Sequence, residues 1–289
     1  MKFTRTLGTL LWIVLLCSLQ PTYGQIYKYL GLKDGLSSRN VYAVQQSNDG
    51  FMWFLTDNGI DRYDGAEISR YTITIDNVKF TEYSSCRFLY DQNKDNLWLA
   101  TSGGKLLRYA QSNNCFEVMY VPDIRYGRSD IMRCAVSPIN VEGNVWMFVG
   151  DQAFRYNIRS CEGREVALCC NDSNLTFTSV VPIDNSSLYV GTKGGVYKGI
   201  IGETAIKLSP IEPLKTLGVN VNTFYYSPLY QTLLIGTEDV GIVAYRESTG
   251  EVIHHKDILP DVRVTKIIPH AEDEVVLFST NATLSVFIR

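Results

Sequence analysis

FMWFLTDNGIDRYDG, residues 51–65, joins an apolar run around Trp53 to a polar turn closing on Gly59, then an Arg-Tyr pair and a second turn at Asp64-Gly65. The same order of residues returns along the chain. NLWLATSGGKLLRY sets Trp98 and Thr101 as Trp53 and Thr56 are set, and NVWMFVGDQAFRY repeats the pattern at Trp146. SLYVGTKGGVYKG puts Tyr189 at the anchor, TLLIGTEDVGIVAY puts Leu234 there and VVLFSTNATLSVF puts Leu277. Successive anchors lie 45, 48, 43, 45 and 43 residues apart, and beyond residue 24 the chain has no tryptophan outside this position.

A period near 45 residues belongs to propellers and helical solenoids, and the local pattern chooses between them. Segments within each unit are short, rich in Val, Ile, Phe and Tyr, and separated by Gly, Asn and Asp turns, which reads as strands. The first unit parses as VYAVQQ, FMWFLT, IDRYD and AEISRYT, a four-stranded antiparallel meander. Asp49-Gly50, Asn58-Gly59 and Asp64-Gly65 supply the positive φ angles its hairpins need. The fold class is therefore all-β, a β-propeller of four-stranded blades with six repeats, either closed on six or an incomplete ring of seven. The units span 40–81, 82–127, 128–171, 172–217, 218–260 and 261–289, with residues 26–32 offering a strand to complete the last blade. Each anchor should pack between neighbouring sheets, and the threonine three residues on, present in five of six units, should bond its hydroxyl into the turn.

Lys2 and Arg5 precede an apolar stretch from Leu7 to Leu19, and Thr22 and Gly24 suit a cleavage site, so residues 1–24 read as a signal peptide of an exported, periplasmic chain. Leu16 in front of Cys17 argues against lipidation there. No other stretch approaches the ~20 apolar residues of a spanning helix. Loss of Lys2 and Arg5 takes the formal charge from -3 to -5, without the basic cluster that nucleic acid requires. Cys86, Cys115, Cys134, Cys161, Cys169 and Cys170 remain, an even set open to disulfides or to free thiols. Cys169-Cys170 lacks the spacer of a metal or redox motif, and neither metal nor cofactor is expected.

GLSSRNVYAVQQSNDGFMWFLTDNGIDRYDG, residues 35–65, resembles the opening blade of the two-component regulator propellers of Bacteroidetes hybrid histidine kinases. Gly35, Leu36, Ser37, Asp49, Gly50, Trp53, Thr56, Asp57, Gly59 and Arg62 to Gly65 carry the likeness. The resemblance implies a periplasmic sensor that recognises a carbohydrate breakdown product and signals to a kinase. Family members usually add a second propeller, a β-sandwich, a transmembrane helix and a kinase core, so the reading here is a truncated or split N-terminal part. Partners would be an oligosaccharide, further sensor domains or a dimer mate.

Propellers also host lyases and glycosidases, which leaves a secreted polysaccharide enzyme or a plain interaction scaffold as alternatives. No two carboxylates converge in the sequence as a glycosidase needs, and His254, His255 and His270 are scattered, so no catalytic residue is assigned. Ligand contacts are expected from the turns after the repeated threonine: Asp57, Asn58, Ser102, Asp151, Gln152, Lys193, Glu238, Asp239 and Asn281. Tyr83, Tyr126 or Tyr225 would stack on a sugar ring.

Overall fold

The computed structural model describes residues 28–91, 93–94, 96–125, 134–255, 262–271, 274–279 and 283–287. The signal peptide, Cys17, Tyr126 and Asn281 lie outside them.

Each repeat folds as one antiparallel meander whose first strand is the innermost and whose last lies at the rim. The inner strands are Val41–Gln46, Arg87–Asp91, Ala135–Val136, Phe177–Pro182, Val221–Ser227 and Val264–Ala271. The second strands, which carry the anchors, are Met52–Thr56, Asn96–Ala100, Asn144–Val149, Ser187–Thr192, Thr232–Thr237 and Glu274–Ser279. Among the described residues blades one to five have four strands and blade six has three, the last of them Thr283–Phe287. A two-residue hairpin, Thr74–Ile75 with Val78–Lys79, decorates the first connector, and one short helix, Glu212–Leu217, the fourth.

Alternation along the second strand builds the core. Side chains there point to opposite faces in turn, so the anchor meets the next blade while its two neighbours meet the previous one. Trp53 and Leu55 pack on Leu97 and Leu99 of blade two. Trp98 and Ala100 pack on Val145 and Met147 of blade three, and Trp146 and Phe148 on Leu188 and Val190 of blade four. Tyr189 meets Leu233 and Ile235, and Leu234 meets Val275 and Leu277. Blades approach closely enough to require glycine at two of these positions: a Cβ on Gly191 would stand 2.5 Å from Val221 of blade five, and one on Gly236 2.7 Å from Val264 of blade six.

Two features depart from the sequence reading. The anchor of blade six is Val276, not Leu277. An irregularity recurs in the inner strand at Val41/Ala43, Phe177/Ser179, Val221/Thr223 and Val264/Lys266, and it aligns the blades. Relative to it Trp53, Tyr189 and Leu234 pair with Gln45, Val181 and Tyr225, and their counterpart pairing with Ile268 is Val276. Leu277 is fully buried, but against blade five, and Val276 is half-buried on the opposite face. The second departure is at residues 28–32: they form no strand, running as coil into a short 3-10 turn at Leu32–Asp34. Lys28 instead bonds the Tyr63 hydroxyl and Leu36 is buried, so this segment covers the outer part of blade one's free face.

That face and its counterpart on blade six do not bury each other. Val44 is 41% exposed and Met52 and Phe54 are half-buried, whereas the flanking residues at internal junctions are closed off almost completely. Val276 and Phe278 are likewise only half-buried. Blades three and four are joined also at the rim, where Glu162–Cys169 runs parallel to Ala205–Pro210 through Ala167, Leu168 and Cys169.

The register leads to a direct test. Trp98→Ala should cost about 3–5 kcal/mol and Leu277→Ala about 2–5 kcal/mol in chemical denaturation, with Val276→Ala clearly milder; equal losses at 276 and 277 would contradict the assigned register.

Candidate functional site

The turns between second and third strands lie beside the connectors that lead into the inner strands, and together they form one mouth of the central channel. In blades one, two, four and five the threonine three residues past the anchor organises the turn. Thr56, Thr192 and Thr237 donate their hydroxyls to the carbonyls of Gly59, Gly195 and Gly241 at 3.1, 3.0 and 2.8 Å. The same oxygens accept from the backbone N–H of Asn58, Gly194 and Val240, and Thr101 accepts from Lys105 at 3.0 Å. A β-branched residue with one hydroxyl thus ends the strand and satisfies the turn's backbone together. The turns are then tied to the connectors. Lys193 N–H donates to Thr176 O at 3.2 Å, Glu238 N–H to Asn220 O at 2.9 Å, and Cys134 N–H to Ser102 O at 2.8 Å.

Blade one has the most elaborate tie. Ser37 N–H donates to the buried Asp61 carboxylate at 2.7 Å, Ser37 Oγ lies 2.7 Å from Thr56 Oγ1, and the Asn58 amide donates to Ser37 O at 2.6 Å. Asp57 accepts from Ser38 Oγ and Asn40 Nδ2, both at 2.8 Å, and from the Tyr42 hydroxyl. The bonds from Tyr42 and then Ser38 hold the Asp57 carboxyl below the usual carboxylate range, and the same contact with Asp57 raises Tyr42. Asp57 and Asn58 therefore serve first as a latch on the incoming chain.

The two also wall a cleft of about 330 Å³ with Arg70, Thr72, Lys79, Phe80, Thr81 and Tyr83. Of these last residues only Tyr83 was among the expected contacts, because the outer strand and first connector carry no repeat to mark the others. Arg70 sits 3.8 Å from Asp61 as an ion pair. Tyr83 is 1% exposed and its hydroxyl accepts from Ile73 N–H at 3.0 Å, so it is a structural pillar, not a stacking platform. Tyr225 packs into the cluster between blades five and six.

The remaining turn residues stay apart from the cleft. Gln152 is 2% exposed and pins the second connector, donating to Asp123 O and Glu165 at 3.2 Å and accepting from Arg125 N–H at 2.7 Å. Glu238 pairs with Arg263 at 3.0 Å, and Asp239 accepts from Asn220 at 3.3 Å. Lys193 and Asp151 are exposed. The six cysteines are free thiols, with Cys86 and Cys134 buried and both pushed up to about 12, by burial above all. Among the described residues no group of three or more His, Cys, Asp or Glu is placed to hold a metal ion.

The latch coincides with a family signature. Residues 35–58 match the profile of the two component regulator propeller family. That span runs from the glycine before the latch to the cleft wall at Asn58, so the matched residues are those that fasten the first blade. No curated protein matches the sequence. Solved structures of the same fold include the extracellular domain of the hybrid two component system BT3049 from B. thetaiotaomicron, at TM-score 0.66 and 17% identity over 90% of this chain and 35% of that one. The extracellular domain of BT4673 from the same organism aligns at TM-score 0.61 and 18% identity over 89% and 32%. The chain thus spans about a third of the length of these two domains. Virginiamycin B lyase from Staphylococcus aureus aligns at TM-score 0.60 and 14% identity over 86% and 84%. At these identities the likeness is one of fold.

The latch predicts a pH effect. A carboxyl held low in the folded chain stabilises it fully above the ordinary value of about 4 and loses that contribution as pH falls through the lower folded value. Asp57→Ala should lower the melting temperature at pH 7, and the gap to the parent should narrow towards pH 3; a gap constant across that range would refute the role.

Proposed function

We propose that this chain is the ligand-sensing propeller of an exported sensor of the hybrid two-component type, responsive to a carbohydrate and forming the N-terminal part of a longer signalling protein. The observation that carries the reading is the regulator-propeller match over residues 35–58, on the blade whose turn walls the cleft. Its residues suit a saccharide: Asn58, Thr72, Thr81, Arg70 and Lys79 offer donors of several kinds beside the Phe80 ring. A rigid scaffold with variable turns is the usual arrangement for recognition. Supporting an extracellular place are the two hybrid-system extracellular domains of the same fold; among the described residues no helix is long and apolar enough to cross a membrane. The binding is proposed as non-catalytic, and kinase activity would belong to residues beyond these.

Calorimetric titration with an oligosaccharide panel tests the proposal. One member should bind without being consumed, and Lys79→Ala should weaken it at least tenfold with an unchanged melting temperature. Turnover of a bound saccharide would favour the enzyme class, which shares this fold in virginiamycin B lyase, and silence across the panel would sink the carbohydrate reading.

A further inference from the structure

The cleft at blade one brings two cations to one small space. Arg70 and Lys79 both line it, and its volume of about 330 Å³ sets their side chains around a single ligand. Arg70 comes from the outer strand Ile68–Tyr71, and Lys79 from the hairpin of the first connector. That hairpin is a fixed support. Asp76 and Asn77 turn it at φ 53° and 64°, and Phe80 N–H donates to Ile73 O at 2.9 Å to close it. Asp76 also stands 3.8 Å from Lys105 on the turn of blade two, which ties the hairpin tip to the next blade.

The polar groups of the cleft wall divide into those already used and those still open. Asp57, the one anion lining the cleft, accepts from Ser38, Asn40 and Tyr42 and is spent on the latch. The Asn58 amide donates to Ser37 O. Arg70 Nε stands 3.8 Å from the buried Asp61, an ion pair beyond hydrogen-bond reach, so the guanidinium keeps its N–H groups open. Among the described residues Lys79 forms neither an ion pair nor a hydrogen bond, and the hydroxyls of Thr72 and Thr81 are likewise unengaged. What the wall still lacks is acceptors.

We propose that this cleft takes an acidic saccharide, a hexuronate unit whose carboxylate lies between Arg70 and Lys79 while its hydroxyls meet Thr72 and Thr81 beside the Phe80 ring. A carboxylate only accepts, and its two oxygens suit the fork of a guanidinium on one side and a compact ammonium on the other. A neutral sugar brings donors as well as acceptors and leaves Lys79 without a counter-charge. Arg70 also balances Asp61, whereas Lys79 has no second duty in the fold, so Lys79 is the residue that sets the preference for acid. The proposal rests on the carbohydrate-sensing reading of the same cleft and narrows its ligand.

Calorimetric titration with digalacturonate and with the glucuronate-containing disaccharide of hyaluronan, each beside its methyl ester, tests the assignment. The ester is the same sugar with the carboxylate capped. One of the two acids should bind at least tenfold more tightly than its ester, and more weakly as sodium chloride is raised. Lys79→Met should weaken the acid at least tenfold and the ester less than twofold, which a merely structural role would not do, and Lys79→Arg should keep the preference. Because Lys79 is exposed and makes no bond within the chain, both variants should melt with the parent. Equal affinity for acid and ester, or a preference that survives Lys79→Met, overturns the proposal and leaves the carbohydrate reading standing. Binding of a neutral oligosaccharide without either acid does the same. If neither the acids nor any neutral sugar binds, both readings fall.

Discussion

Face-to-face packing of one blade on the next is the constraint on which the structure rests. A single four-stranded meander exposes apolar side chains on both faces and has no core of its own. The tryptophans at 53, 98 and 146 resolve this by filling the space between sheets that stand about 10 Å apart, while their sequence neighbours close the junction on the other side. The arrangement is directional, since each anchor faces forward along the chain. Among the described residues it leaves one face of blade one and one face of blade six without a packed neighbour.

The chain treats the first of these faces with care. Residues 28–37 lie over its outer part, and the bonds from Ser37 to Asp61, Thr56 and Asn58 bring the chain into the inner strand at a defined point. Asp61 is buried; its pairing with the Ser37 N–H satisfies one carboxylate oxygen, and Arg70 stands 3.8 Å from the other. In this chain the residues matched by the regulator-propeller profile are those that fasten the first blade.

The channel mouth separates scaffold from contact surface. Threonine hydroxyls hold the turns in one geometry, and connectors bond to them through main-chain atoms, which constrains shape without constraining side chains. Residue identity at the mouth is then free to differ from blade to blade. The cleft at blade one lies beside this frame, walled partly by the latch residues Asp57 and Asn58 and partly by side chains of the outer strand and first connector.

Fold and repeat were legible in the sequence because they depend on local chemistry. Spacing of Trp53, Trp98 and Trp146, the glycine turns and the strand-ending threonines are each set within a dozen residues, so their meaning survives without the rest of the chain. In blade six the same logic stops short: Val275, Val276, Leu277 and Phe278 are all apolar, alternation carries no information, and pairing with the inner strand chose Val276 as the anchor. Gln152 reads as a turn residue in sequence and is buried, because the connector arriving from blade two folds over it. Only the tertiary structure could decide such matters, since they depend on which distant segments meet. Arg87 donates to the carbonyl of Val136, 49 residues further on, and only the packing of blade two on blade three brings the two together.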